Sequence, residues 1–239
     1  MTEQRDYLEC EKRWVFALLI FVAGFYGGYT ILLRGGVFCN AQTGNMVLMG
    51  IAAGQGDWHK ALYYLFPVGI YLLGVMISEL VPKVVRKMGI RWDTLLILLE
   101  IIGVVAVGFI PLSAPHQISQ FIIMLLCGMQ FNTFRQAQGI GMATTFCTNH
   151  LRMFGIALAK TLFRRKKHPE APGRTLAHGI MIGCFIIGAA VSAVLCGLCG
   201  GYTILFALIP LIILFADLLH ADLTKEKDML DIVPKGHQM

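Results

Sequence analysis

The sequence predicts an all-α polytopic membrane protein, with six transmembrane helices and two re-entrant half-helices arranged as two inverted-topology repeats. Three observations carry that expectation. The 239 residues are 56% hydrophobic and only 14% charged, more apolar surface than a soluble globule of this length can hide. Six apolar segments are long enough to cross a bilayer. Two short stretches read alike, 43–52 (TGNMVLMGIA) and 148–157 (TNHLRMFGIA), and each is an apolar run opened by polar, turn-forming residues.

The first apolar segment, 14–33, is too long for a signal-peptide core and has no clear small-residue cleavage site, so it reads as a span. The others run 59–80, 93–110, 117–133, 175–198 and 202–220, each near the roughly 17–25 residues that a bilayer requires. Two further segments, 44–53 and 149–162, are left over, and the first is too short to span. The expected organisation is a tail of residues 1–13, one membrane domain over 14–220, and a second tail over 221–239. Repeat one covers about 14–112 and repeat two about 117–220.

Charge sets the orientation. The net charge of +6 is concentrated in loops: Lys83, Arg86, Lys87 and Arg91 in one, and Arg164, Arg165, Lys166, Lys167 and Arg174 in another. With 44–53 and 149–162 re-entrant and the N-terminus cytoplasmic, both basic loops face the cytoplasm, as does the tail with Lys225, Lys227 and Lys235. The loops 111–116 and 199–201, without Lys or Arg, face outward. If both short segments crossed fully, one basic loop would be forced outside, against the positive-inside rule. The two halves then have opposite topology. Chance likeness between two apolar stretches is the competing account of the repeat. Nucleic-acid binding is excluded, because the basic runs are short and flanked by spans.

The stretch Phe38-Cys39-Asn40-Ala41-Gln42-Thr43-Gly44-Asn45, followed by Gly54-Gln55-Gly56-Asp57-Trp58, resembles the signature of the YoaK-like family. Gly128-Met129-Gln130 with Asn132, and Thr144-Thr145-Phe146-Cys147-Thr148, are similar to its second-half pattern. The resemblance extends over about 14–220. It implies a bacterial inner-membrane protein of about six spans, from a family described only as a domain of unknown function. Where that family often repeats Thr-Gly-Asn in its second half, this chain has Thr148-Asn149-His150.

Candidate site residues follow from polar groups in apolar surroundings. Thr43, Gly44 and Asn45 are the residue types of a helix start, where unpaired backbone N–H groups create an electropositive end. Thr148 and Asn149 supply a second such end. Two half-helices entering from opposite faces would aim both ends at a shared midplane site, although capping alone explains the same residues. Asn40 and Gln42 precede the first half-helix. Gln130, Asn132 and Arg135 precede the second, and Arg135 is the candidate substrate-facing cation, with snorkelling to the interface as the alternative. Arg34 is a further polar residue of the first stretch. Glu100 sits mid-span among Leu, Ile and Val and reads as a proton carrier, a partner of Arg135, or a structural hydrogen-bonding group.

The remaining features read as structural. Glu79, Asp217 and His220 fall near span ends, and Asp57 fits a helix N-cap beside an interfacial Trp58. Gly24-x-x-x-Gly28 and Gly179-x-x-x-Gly183 offer close helix packing. Six of the seven cysteines lie in or beside apolar runs, and Cys196-x-x-Cys199 lacks a second pair. There is no P-loop, H-E-x-x-H or G-x-S-x-G motif, so no enzyme, cofactor or metal site is expected. The expected function is a small secondary transporter of a small anionic or polar solute, coupled to protons through Glu100. A passive channel and a non-transporting accessory protein are the alternatives. The expected partners are that solute or ion, the lipid bilayer, and a second copy in a homodimer.

Overall fold

The structure is a computed structural model that describes residues 7–81, 89–230, 232 and 234. Lys83, Arg86, Lys87 and Lys235, on which part of the charge argument rests, lie outside the described residues. The chain runs α1 (Arg13–Leu33), α2 (Gln42–Gly54), α3 (Trp58–Leu80), α4 (Trp92–Gly108), α5 (His116–Thr133), α6 (Thr148–Phe163), α7 (Ala171–Cys199) and α8 (Leu208–Leu223). A 3-10 segment, Gly200–Ala207, joins α7 to α8. A two-residue-per-strand hairpin, β1 (Gln136–Ala137) and β2 (Ile140–Gly141), is the one addition to an otherwise helical plan among the described residues.

Three helical stretches are long and apolar enough to cross a membrane: Arg13–Leu33, Trp58–Leu80 and the continuous run Ala171–Leu223. α4 has 17 residues, and α5 dilutes its apolar residues with His116, Gln117, Gln120, Gln130 and Asn132. Neither stands out by length and composition alone. Large apolar side chains point outward along α3 (Leu72, Leu73, Met76), α7 (Ile186, Ile187, Val194) and α8 (Ile209, Ile212, Ile213). In water such a surface would be costly; against lipid tails it is the expected exterior of a membrane protein.

α1 lies inside, with Leu19, Ile20, Val22, Ala23, Phe25, Tyr26 and Tyr29 buried. It packs along α7, and α5 packs along α3 in a matching arrangement. Each crossing is closed by a glycine from each helix. A Cβ on Gly24 would collide with the Phe185 carbonyl, and one on Gly188 with the Phe21 carbonyl. In the other crossing Gly128 meets the Tyr71 carbonyl and Gly74 the Leu125 carbonyl. Backbones that approach this closely leave no room for a side chain. Of the two sequence motifs, Gly24-x-x-x-Gly28 is a close contact, since Gly28 abuts Ala189 and Ser192. Gly183 has open space around it, so Gly188 is the partner that the spacing rule missed.

α2 lies on α3, α6 on α7, and α4 on α8 and α5. The segments before α1 and after α8 meet: the Glu9 backbone N–H donates to the Glu226 carboxylate at 2.6 Å. Beside them, Arg91 donates to the carbonyls of Met229 and Ile232 and pairs with Asp93. Asp57 caps α3 as expected, accepting from the Lys60 N–H at 3.0 Å.

Arg34 is fully buried, and protein oxygens take up its guanidinium. Its guanidinium donates to the carbonyls of Val107, Ile110 and Pro111 and to the Tyr29 hydroxyl. Val107 lies in the last turn of α4 and Ile110 and Pro111 just beyond it, where carbonyls lack intrahelical donors, and Arg34 donates to all three.

Candidate functional site

Two loops fold back into the helical core, and each leads into a short helix. The first leaves α1 and reverses at Gly35 and Gly36, whose φ values of 83° and 69° suit glycine. It returns far enough for Asn40 Nδ2 to donate to the Ala23 carbonyl, midway along α1, at 2.9 Å. α2 starts there. The second loop leaves α5 through the β1–β2 hairpin and returns so that Gln130 Nε2 donates to the Thr144 carbonyl at 3.3 Å. α6 starts four residues later, at Thr148.

Neither start carries a side-chain cap. Thr43 is the second residue of α2 and follows Gln42, so it does not cap the helix; Ala41 holds the cap position without a side-chain bond. Cys147 does the same for α6. The first-turn N–H groups of both helices thus keep their donor capacity and the positive end of the helix dipole.

A cavity of about 710 Å³ lies between these two starts. Its polar wall is Asn40, Gln42, Thr43 and Gly44 from the first loop and helix, with Thr148, Asn149 and Arg152 from the second. Its aromatic wall is Phe38, Tyr71, Phe131 and Phe146, with the Phe131 and Phe146 rings 5.0 Å apart. The volume lies within the range of small-molecule sites. A neighbouring cavity of about 590 Å³ shares Phe131, Phe146, Asn149 and Arg152 and adds Asn132 and Arg135.

The structure therefore brings Asn40, Gln42, Thr43, Gly44, Thr148 and Asn149 together around one space. It places Asn132 and Arg135 in the adjoining one. Asn45 and Gln130 are fully buried and line neither. Asn45 Nδ2 donates to the Phe38 carbonyl and to Gln42 Oε1, which braces the loop. Arg135 is not a free cation: it pairs with Glu79 at 3.1 Å and donates to the Asn132 carbonyl and side-chain oxygen. Glu79 therefore holds the place beside Arg135 that was one of the alternatives for Glu100. Glu100 is fully buried, and both of its carboxylate oxygens lack a hydrogen-bond partner among the described residues. Tyr26, within electrostatic reach of it, has an unpaired hydroxyl as well.

The chain matches, over residues 15–216, a family described as "Protein of unknown function (DUF1275)". It belongs to that family. No curated protein and no solved structure matches it. The matched region of this DUF1275 chain includes both returning loops and all the cavity residues.

Three residues of this neighbourhood were not among the site residues expected from the sequence. Arg152 stands where the first copy has Val47, and that exchange of an apolar residue for a cation was the available signal. His150 and His178 are both buried, with their Nδ1 atoms 3.0 Å apart. They lie 28 positions apart in sequence, so no local pattern links them. Among the described residues no three His, Cys, Asp or Glu gather as metal ligands.

Proposed function

We propose that this protein is a small secondary transporter of a small anionic or polar solute, carried in the cavity between the starts of α2 and α6. The observation that carries the reading is that two uncapped helix N-termini and Arg152 border one cavity with an aromatic wall. Such ends bind carboxylates and similar anions through backbone N–H groups and the helix dipole. In this reading α1, α3, α4, α5, α7 and α8 cross the bacterial inner membrane, α2 and α6 are re-entrant, and both termini are cytoplasmic.

The inverted-repeat arrangement is supported by how the halves pack. Gly24 and Phe21 in α1 stand at one offset from Gly128 and Leu125 in α5. Gly74 and Tyr71 in α3 stand at another single offset from Gly188 and Phe185 in α7. The two glycine crossings thus use corresponding residues, with partners exchanged between halves. The bond between Glu9, before α1, and Glu226, after α8, supports placing both flanking segments on one side.

Purified protein in proteoliposomes tests the reading, with labelled benzoate as probe. Saturable uptake against its gradient, driven by a pH difference, is expected. Arg152→Gln should lower apparent affinity about tenfold, the scale of one lost charged hydrogen bond, and Thr43→Trp should block the cavity. Benzoate flux that only follows its electrochemical gradient would make the protein a channel. Uptake indifferent to both substitutions would place the solute elsewhere. Glu100 is the proposed coupling group, and full pH-driven uptake by Glu100→Gln would remove it from that role.

A further inference from the structure

His150 is the third residue of α6 and His178 lies on α7; both are fully buried. Their hydrogen bonds determine where the protons sit. A carbonyl oxygen can only accept, so the 2.7 Å contact between His150 Nε2 and the Ala143 carbonyl requires a proton on that nitrogen. In a neutral ring His150 Nδ1 is then bare. The 3.0 Å contact between the two Nδ1 atoms accordingly places a proton on His178 Nδ1. This leaves His178 Nε2 as a bare lone pair, buried and without a hydrogen-bond partner among the described residues. An unpaired buried polar atom is costly to the fold. Holding the loop does not require it, because Asn45 braces the first loop with an amide.

We propose that His150 and His178 form a one-proton binding site, loaded at His178 Nε2, that controls the charge at the α6 end of the cavity. When Nε2 gains a solvent proton, the shared proton passes across the pair. The Nδ1–H bond of His178 breaks, an Nδ1–H bond forms on His150, and the positive charge arrives on a ring that lines neither cavity but belongs to the residue following the cavity residues Thr148 and Asn149 in the first turn of α6. The charged groups acting on His178 are Arg13 at the start of α1 and Arg174 on α7. The loop before α6 presents the neutral Ala143 carbonyl. With two cations nearby and the positive end of the α6 dipole at hand, the added charge is best compensated by an anion in the cavity. Proton and anion binding therefore reinforce each other, and by linkage each does so equally. That link rests on the anion reading of the cavity; the proton site itself does not.

The experiment is nitrogen-15 histidine NMR on the full chain in detergent micelles, with and without benzoate. At alkaline pH, His150 should show Nε2–H and His178 Nδ1–H. Acidification should load the pair with one proton in a single step, and benzoate should bind more tightly as it loads. His178→Gln should abolish that pH dependence. His150→Asn, which installs the residue type of the first copy, should keep the bond to Ala143 and uncouple benzoate affinity from His178. An Nε2–H on His178 at alkaline pH, or independent titration of the two rings, would overturn the proposal. Wild-type pH dependence in His178→Gln would overturn the coupling. One-proton loading with no benzoate bound at any pH would support the proton site and sink the anion cavity. If His178→Gln fails to fold, the wild-type tautomers and proton count still decide.

Discussion

Asn45 and His150 make the same bond. Each donates a side-chain N–H to the backbone carbonyl seven residues upstream, Asn45 to Phe38 and His150 to Ala143, both at 2.7 Å. Each bond ties the first turn of a short helix to the loop that delivers it. Replacing Asn45 by Ala leaves the Phe38 carbonyl without that donor and should destabilise the protein by about 1–3 kcal/mol. Thermal unfolding in detergent reads this directly; an unchanged midpoint would mean that the bond does not hold the loop.

The glycine crossings predict a sharp contrast between substitutions of one kind. Gly24→Ala or Gly128→Ala drives a methyl group into a facing carbonyl, and helix separation should cost about 1–3 kcal/mol. Gly50→Ala, in the middle of α2 with nothing within 4 Å, should be neutral or stabilise by up to about 1 kcal/mol. Comparing the three melting temperatures checks both signs.

Two arginines, each in the stretch that precedes a short helix, should behave differently. Arg34→Gln strips donors from the end of α4 and should lower stability by about 2 kcal/mol or more. Arg135→Gln breaks a pair whose Glu79 side chain is 66% exposed, so about 1 kcal/mol or less is expected. Equal effects in thermal melts would contradict the assigned roles.

The Glu9–Glu226 contact carries a pH dependence whose sign follows from burial. Burial raises the carboxyl of Glu226 above its ordinary value, against hydrogen bonding from the Glu9 N–H that lowers it. A carboxyl raised in the folded state favours folding when protonated, and that contribution is lost as pH rises through its folded-state pKa. Glu226→Gln keeps an acceptor for Glu9 and removes the buried charge. It should melt no lower than the native protein at pH 7 and show a flatter stability profile between pH 4 and 7, as judged by melting temperature across that range.

Cys10 offers a simpler check. Burial and the neighbouring Asp93 push its thiol well up, and it is 4% exposed. It should resist maleimide at pH 7.5 in the folded protein and react on unfolding, as mass spectrometry would report.

Much of the cavity was legible from residue types. Asn40, Gln42, Thr43, Gly44, Thr148 and Asn149 were polar residues opening apolar runs, and hydrocarbon makes such residues conspicuous. Asn45 and Gln130 were conspicuous for the same reason, yet they satisfy carbonyls of their own loops. Polarity marks a residue that needs a partner; it does not say whether the partner is backbone or solute. Arg135 shows the same ambiguity, resolved by Glu79, a residue 56 positions away.

By itself the sequence determined the apolar character of the chain, its helical plan, and the likeness of 43–52 to 148–157, because composition and spacing act locally along the chain. Only the tertiary structure decided that the starts of α2 and α6 border one cavity, that Gly188 and not Gly183 closes the α1–α7 crossing, and that His150 meets His178. Those relationships depend on which helix faces lie together, and backbone packing at the glycine crossings decides that.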